Sequence, residues 1–263
     1  MYLKIISTGF LLLLSSLQVL LAQNCSYASV VLTNQTAVDN FVANSEGCET
    51  ITINGTLNIL GGSITDISGL RNITSIRGSL FIRFTNTLSD LDDLQNLTSI
   101  GSNLVISEND ALDNLDGLQN ITSIGGLATV GRNNVLKNLD GLQSLRYIGG
   151  NLDVLINPML SNIDGLQNVR FVDGTLSIRQ NLVLNEFCGL HGLLNADNNG
   201  ITSINISGNP ANNLTAEAIR DGEACARILP TPAEDLPLMP KSYLLLLVLG
   251  ISGALYLGAR RLH

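Results

Sequence analysis

"LDGLQNITSIGG", Leu115 to Gly126, stands among near copies of itself: "LDDLQNLTSIGS" at Leu91–Ser102, "LDGLQSLRYIGG" at Leu139–Gly150 and "IDGLQNVRFVDG" at Ile163–Gly174. Each copy starts 24 residues after the last. A fixed period of that length marks stacked structural units, each too small to bury an apolar face alone. In register, six coils emerge: 54–76, 77–100, 101–124, 125–148, 149–172 and 173–196. The first is one residue short, and the last fades after Leu193.

Within coil 101–124, Leu104 and Ile106 alternate as in a strand. Leu112, Leu115, Leu118, Ile121 and Ile124 recur every third residue, which reads as short extended segments bending around corners. No stretch sustains the 3.6-residue period of an α-helix. The predicted fold is therefore mainly β, a leucine-rich solenoid with its aliphatic residues in one shared core.

Polar residues repeat with the same period. Asn109, Asn133, Asn157 and Asn181 form one column, with Thr85 in that place a coil earlier. Stacked coils lie about 4.8 Å apart, so identical amides can bond to the backbone and to each other at a buried corner. Gly69, Gly117, Gly141, Gly165 and Gly189 are read as permitting a tight corner. Asp92, Asp116, Asp140 and Asp164 form a carboxylate column beside Gln95, Gln119, Gln143 and Gln167. Such a column invites a calcium reading. The Asp/Gly ligand pattern of calcium-binding β-rolls is missing, so each Asp is expected to bond its own turn. No metal or cofactor is implied.

The two ends are apolar. Residues 1–22, with Lys4 followed by an apolar run and Ala22, have the layout of a secretory signal peptide. Residues 23–228 are expected to form the solenoid and its caps, and 229–242 a proline-rich stalk. Residues 243–259 read as a membrane-spanning helix, leaving 260–263 as a short cytoplasmic tail because Arg260 and Arg261 follow the span. A GPI signal is the alternative, with Ala224-Cys225-Ala226 as its small-residue triplet. Removing Lys4, Lys241, Arg260 and Arg261 from 14 basic residues leaves 10 against 22 acidic ones, a formal charge of −12 for 23–240. A domain so acidic repels phosphate backbones, so nucleic acid is not an expected partner.

With a signal peptide present, eight Asn-x-Ser/Thr sequons read as glycosylation sites: Asn24, Asn34, Asn54, Asn72, Asn96, Asn120, Asn205 and Asn213. Asn72, Asn96 and Asn120 share one register and define an edge expected to face solvent. Four cysteines, Cys25, Cys48, Cys188 and Cys225, admit three pairings. Six coils separate the pairs by nearly 30 Å, while a disulfide needs Cα atoms within about 7 Å. Cys25–Cys48 and Cys188–Cys225 are therefore expected. Each bridges a segment with helical signals: Thr36–Gly47, capped by Thr36 with Val38, Phe41 and Val42 inward, and a later one capped by Asn213 or Thr215 with Ala216 and Ile219 inward. Both read as lids over the solenoid ends.

A cysteine-bounded lead-in, then "ITINGTLNI", then the repeated L-x-x-L-x-G-L-x-N-L/I-T-S-I-G-G-x-L-x-I-x-x-N pattern resembles the receptor L-domain family over roughly residues 48–225. That family includes the L domains of insulin- and EGF-type receptors and fungal cell-surface proteins of the Ecm/Sps type. The resemblance implies a right-handed β-helix that binds proteins or organises a cell surface. With one L domain and no cysteine-rich module or kinase, the layout is more similar to the cell-surface branch.

The first strands of the coils should form a sheet with two outward columns: Asn58, Phe81, Val105, Thr129, Asp153, Ser177, and Leu60, Arg83, Ser107, Gly131, Leu155, Arg179. Phe81, Arg83, Val105, Asp153, Leu155 and Arg179 make the candidate protein-binding face. Beyond Asn54, which precedes the first strand, no sequon is expected on that sheet. A carbohydrate-active enzyme is the remote alternative, and a wall or matrix protein a nearer one. There is no tryptophan to form a sugar platform, and the acidic column sits at turns. His191 takes a place in the Gln column, which reads as structural. The reading is of a non-catalytic cell-surface glycoprotein, extracellular and membrane-tethered, with an unidentified protein or surface ligand.

Overall fold

The computed structural model describes residues 23–210 and 215–222. The expectations for the signal segment, Asn213, Cys225, the stalk, the span and the tail lie outside those residues. Among the described residues no helix is long and apolar enough to cross a membrane.

Strands β1 (Gln23–Tyr27) and β2 (Val30–Leu32) precede helix α1 (Gln35–Asn44), and β3 (Cys48–Ile53) and β4 (Leu57–Leu60) follow it. Pairs of strands then recur: β5 (Ile73–Ile76) and β6 (Leu80–Arg83), β7 (Ser99–Ile100) and β8 (Leu104–Ser107), β9 (Ser123–Ile124) and β10 (Ala128–Gly131). Next come β11 (Tyr147–Ile148) and β12 (Leu152–Leu155), then β13 (Phe171–Val172) and β14 (Gly174–Arg179). Helix α2 (His191–Leu194), β15 (Ile201–Ser207) and helix α3 (Ala216–Arg220) complete the described chain. Odd-numbered strands β1 to β13 form a seven-stranded sheet, and the even-numbered strands with β15 an eight-stranded one. Every pairing is parallel. The protein is mainly β, with parallel sheets and a few short helices, consistent with a β-helix-like solenoid.

The period shows directly in the register. Leu80, Leu104, Ala128, Leu152 and Leu176 face one another across successive strands, as do Ile82, Ile106, Val130, Val154 and Ile178. All are buried. So are Leu91, Leu115, Leu139, Ile163 and Phe187 on the third side of each turn. A side chain burying the same apolar surface in every turn is stabilised by roughly 1.5–3 kcal/mol each time, which is why aliphatics hold these columns.

The three-residue recurrence has a different cause from the one expected. Asp92–Leu94, Asp116–Leu118, Asp140–Leu142 and Asp164–Leu166 are 3₁₀ helices, preceded by Ser68–Leu70 and followed by Cys188–Leu190. Leu118 N–H donates to Leu115 O at 2.9 Å and Ile121 N–H to Leu118 O at 3.0 Å. Three residues per 3₁₀ turn put Leu115, Leu118 and Ile121 on one side. A period of three thus arises from 3₁₀ turns and not from bent extended chain. Only the short strand after each 3₁₀ turn is extended.

The DGL glycines also act differently from the expectation. None has a positive φ. A Cβ on Gly117, Gly141 or Gly165 would run into the carbonyl of Leu91, Leu115 or Leu139 in the preceding turn. These glycines let backbones approach. Nor does the Asp column bond its own turn: the residue two before it does, with Asn114 Oδ1 accepting from Asp116 N–H at 2.9 Å and Asn138 Oδ1 from Asp140 N–H at 3.0 Å. Asp92, Asp116, Asp140 and Asp164 stand exposed.

The parallel sheets continue past both limits set by the repeat. β1 and β3 extend the seven-stranded sheet and β2 the eight-stranded one before residue 54, and β15 adds a strand after 196. The N-terminal cap is α1, with Val38 and Phe41 buried and Val42 against Gly69. Its N-cap is Asn34 rather than Thr36: Asn34 Oδ1 accepts from Ala37 N–H at 2.9 Å. Cys25 and Cys48 are bonded to each other. Cys188 is also disulfide-bonded. Thr215 caps α3, whose Ile219 is buried and whose Arg220 bonds Leu194 O.

Candidate binding face

The Asn column shapes the corners that follow β6, β8, β10, β12 and β14 of the eight-stranded sheet. Asn133 Nδ2 donates to Ile106 O at 3.1 Å, and Asn133 Oδ1 accepts from Asn109 N–H at 3.2 Å. One side chain thus clamps the two ends of a corner in the turn before its own. Asn109 holds Ile82 O and Thr85 N–H in the same way, Asn157 holds Val130 O and Asn133 N–H, and Asn181 holds Val154 O and Asn157 N–H. The amides also bond to one another along the stack, at 3.1–3.2 Å from Asn109 to Asn181. A further member, Asn209, clamps Ile178 O and Asn181 N–H. It stands 28 rather than 24 residues on, so the repeat concealed it.

Inside each clamp lies a residue with left-handed φ: Phe84, Glu108, Arg132, Ile156 and Gln180, all between 56° and 59°. For a non-glycine residue this conformation costs roughly 1–2 kcal/mol, and for β-branched Ile156 it is an outlier. The buried clamp offsets that cost. No glycine signals the column, so sequence reasoning missed it.

The predicted face is assembled in register. Asn58, Phe81, Val105, Thr129, Asp153 and Ser177 lie across adjacent strands, and so do Leu60, Arg83, Ser107, Gly131, Leu155 and Arg179. Phe81, Arg83, Val105, Asp153 and Leu155 are half-buried, and Arg179 is exposed. Arg83 Nε donates to Ser107 Oγ at 3.2 Å, and its guanidinium lies 5.1 Å from the Phe84 ring centre. Burial pushes the Asp153 carboxyl above its usual range, and Arg179 pulls it back in part.

Besides Val31 of β2 and Tyr147 of β11, the exposed large apolar residues lie on the rim beyond the strands. Phe84 is 44% exposed, Met159 54%, Val183 43% and Leu182 65%. Val135, Met159 and Val183 repeat at the 24-residue spacing, a column that the sequence carries and the sequence reading did not use. Phe84, Glu108, Arg132 and Ile156 line a shallow groove of about 320 Å³ with Asn86, Asp110 and Asn134. An apolar rim thus stands beside mixed charge.

Two expectations about sugars change. Asn205 lies on β15 opposite Ser177, so the sheet does carry a sequon, at its last strand. Asn96 and Asn120 are exposed, but Asn72 is half-buried. Each donates its Nδ2 to the preceding turn: Asn72 to Cys48 O, Asn96 to Arg71 O and Asn120 to Gln95 O, at 2.7–2.8 Å. Asn168, outside any sequon, makes the same bond to Gln143 O at 2.7 Å. The column is structural first.

A larger groove, about 640 Å³, runs between α1 and the first 3₁₀ turn. Gln35 spans this seam, bonding Asp39, Thr65 and Asp66. It is the join of cap and solenoid. Among the described residues no three His, Cys, Asp or Glu side chains are placed to hold a metal ion. Burial and neighbouring carboxylates push Asp92 and Asp140 above the usual carboxylate range. His191 is exposed, and its carbonyl serves the end of α2.

Residues 47–112 match the family model described as Receptor L domain. No curated protein matches the chain. The match supports the receptor L-domain family and does not single out its fungal cell-surface branch.

Proposed function

Starting from that receptor L-domain match, we propose that the protein is a non-catalytic cell-surface glycoprotein whose solenoid binds a protein ligand. The single observation that carries this is the eight-stranded sheet with its rim: two side-chain columns in register, bordered by left-handed corners that hold Phe84 and Ile156 in the open. Receptor L domains are non-catalytic ligand-binding modules. The proposal includes a right-handed winding of about six 24-residue coils, a signal peptide at 1–22 and a span at 243–259. The ectodomain is then extracellular, serving binding or adhesion at the plasma membrane.

The test is a binding screen of the tagged protein against cell-surface proteins, repeated with Phe81 and Arg83 both replaced by alanine. Loss of one buried aromatic and one arginine from an interface weakens it by about 1 kcal/mol or more. Normal binding by this variant, with binding lost instead on changing Tyr147 and Phe171 of the seven-stranded sheet, would place the ligand on the wrong side for this reading.

A further inference from the structure

The sequons fall into two groups by which amide atom the fold uses. Asn72, Asn96 and Asn120 commit Nδ2, the atom that receives the sugar, to the carbonyl of the preceding turn. Asn24, Asn34, Asn54 and Asn205 make their bonds through Oδ1 instead, accepting from Thr50 Oγ1, Ala37 N–H, the Arg77 guanidinium and Ser207 Oγ. Their Nδ2 atoms bond nothing among the described residues. Asn54 lies between β3 and β4, and the other three are at the ends. Asn24 is in β1, the terminal strand of the seven-stranded sheet, and Asn205 is in β15, terminal in the eight-stranded sheet. Asn34 follows two residues after β2, the other terminal strand of that sheet.

Both ends present what a parallel sheet extends by. Among the described residues β15 and β2 each have a neighbour on one side only. Val30 N–H bonds inward to Thr56 O, so the alternation of a strand points Val31 N–H outward. Every junction inside the molecule is parallel, so β2 of a second copy can continue the sheet beyond β15 by the rule that built it. Such head-to-tail contact does not close on itself and propagates. Open strand edges are a general liability that proteins obstruct.

We propose that N-linked sugars at Asn24, Asn34 and Asn205 guard the two solenoid ends and keep second copies of this chain from stacking end to end. The glycan is a steric stop on β15 and β2, while the Asn72/Asn96/Asn120 amides serve the fold. Asp39, Glu46 and Glu49, with no Lys or Arg between residues 23 and 53, add like-charge repulsion to Asp197, Glu217 and Asp221, which outnumber Arg220 at the other end. This rests on the secretory, glycosylated reading above.

The experiment uses the full-length chain made in a eukaryotic secretory system and purified in mild detergent. Glycopeptide mapping should find sugar on Asn24, Asn34 and Asn205. Ser26→Ala, Thr36→Ala and Ser207→Ala, combined with Asn213→Gln, remove the end sequons while leaving those three asparagines in place. At 0.5 M salt, which shortens charge repulsion to about 4 Å, this variant should form concentration-dependent oligomers with at least a doubling of weight-average mass by light scattering. Adding Val31→Pro, which deletes the outward N–H of β2, should return it to the mass of the parent. Thr74→Ala, Thr98→Ala and Thr122→Ala together should leave the mass unchanged. A chain without sugar on any sequon sinks both the secretory reading and this inference. Sugars present at the ends, with the end variant still at parental mass, sink the inference alone, as does equal assembly by the Thr74/Thr98/Thr122 variant.

Discussion

Replacing Asn133 with alanine tests the amide ladder at its middle. The side chain joins four partners, and two of them are backbone groups with no substitute: Asn109 N–H and Ile106 O. Asn109 and Ile106 are fully buried, so water does not reach them without opening the core. Leaving a buried donor or acceptor unmatched costs about 1–3 kcal/mol each. Asn157 Oδ1 keeps its bond from Asn133 N–H, so the damage stops one turn on. The left-handed Glu108 corner also loses its clamp, which releases strain and returns roughly 1 kcal/mol. The net expected loss is about 2–4 kcal/mol, a large part of the 5–15 kcal/mol by which a domain is stable.

The assay is urea unfolding of the disulfide-intact protein, followed by far-ultraviolet circular dichroism. The midpoint should fall with the slope unchanged. Asn134→Ala is the control in the same corner: its amide bonds only the exposed Asp110, so its cost should stay below about 0.5 kcal/mol. Thr85→Ala, at the end of the ladder, loses one hydroxyl bond to Asn109 Oδ1, while Thr85 N–H still donates there. About 1 kcal/mol is expected. Equal losses for Asn133→Ala and Asn134→Ala would show that the ladder carries no special burden.

Gly141→Ala should destabilise by about 1–3 kcal/mol, because its Cβ meets the Leu115 carbonyl and backbone must move; a thermal melt reads it, and an unchanged Tm refutes the close-approach account. Asp140→Asn should raise Tm at pH 7. The folded-state pKa of Asp140 is raised by burial and then by Asp164 and Asp116, so its penalty is complete above that value and gone below the ordinary pKa of about 3.9. The gain should therefore vanish by pH 3, and a gain that persists there contradicts the cause given. Replacing Cys25 and Cys48 with alanine should cost about 3 kcal/mol for a loop closed across 23 residues, measured as the shift in urea midpoint. Non-reducing peptide maps should join Cys188 to Cys225, and a Cys48–Cys188 peptide would contradict the end-to-end separation of the pairs.

The parts of the fold that sequence made legible are those where every turn needs the same side chain for the same reason. Leu104, Ile106 and their counterparts fill one core column, and Asn109 to Asn181 satisfy one buried corner, so both repeat with little variation. Features set by backbone were not legible. The 3₁₀ turns share their apolar spacing with bent extended chain, and only the Leu118-to-Leu115 bond separates the two. The terminal strands β1, β2 and β15 depart from the repeat, since a terminal strand has one neighbour to match, which relaxes its side-chain pattern.

The left-handed column is set by backbone and was hidden for that reason, and it is the feature on which the proposed binding face depends. Phe84, Glu108, Arg132, Ile156 and Gln180 share a conformation but no chemistry, since their side chains face solvent and only their backbones are constrained. The constraint comes from asparagines of the following turn, buried beneath the rim. The rim side chains are thereby free to vary while their positions are held. A scaffold with that separation can change what it presents without changing how it folds, and it sets two exposed apolar residues, Leu182 and Met159, close in sequence to corners the core holds. Rigid anchors lose little conformational entropy on binding, so a ligand docking here keeps more of its contact energy as affinity.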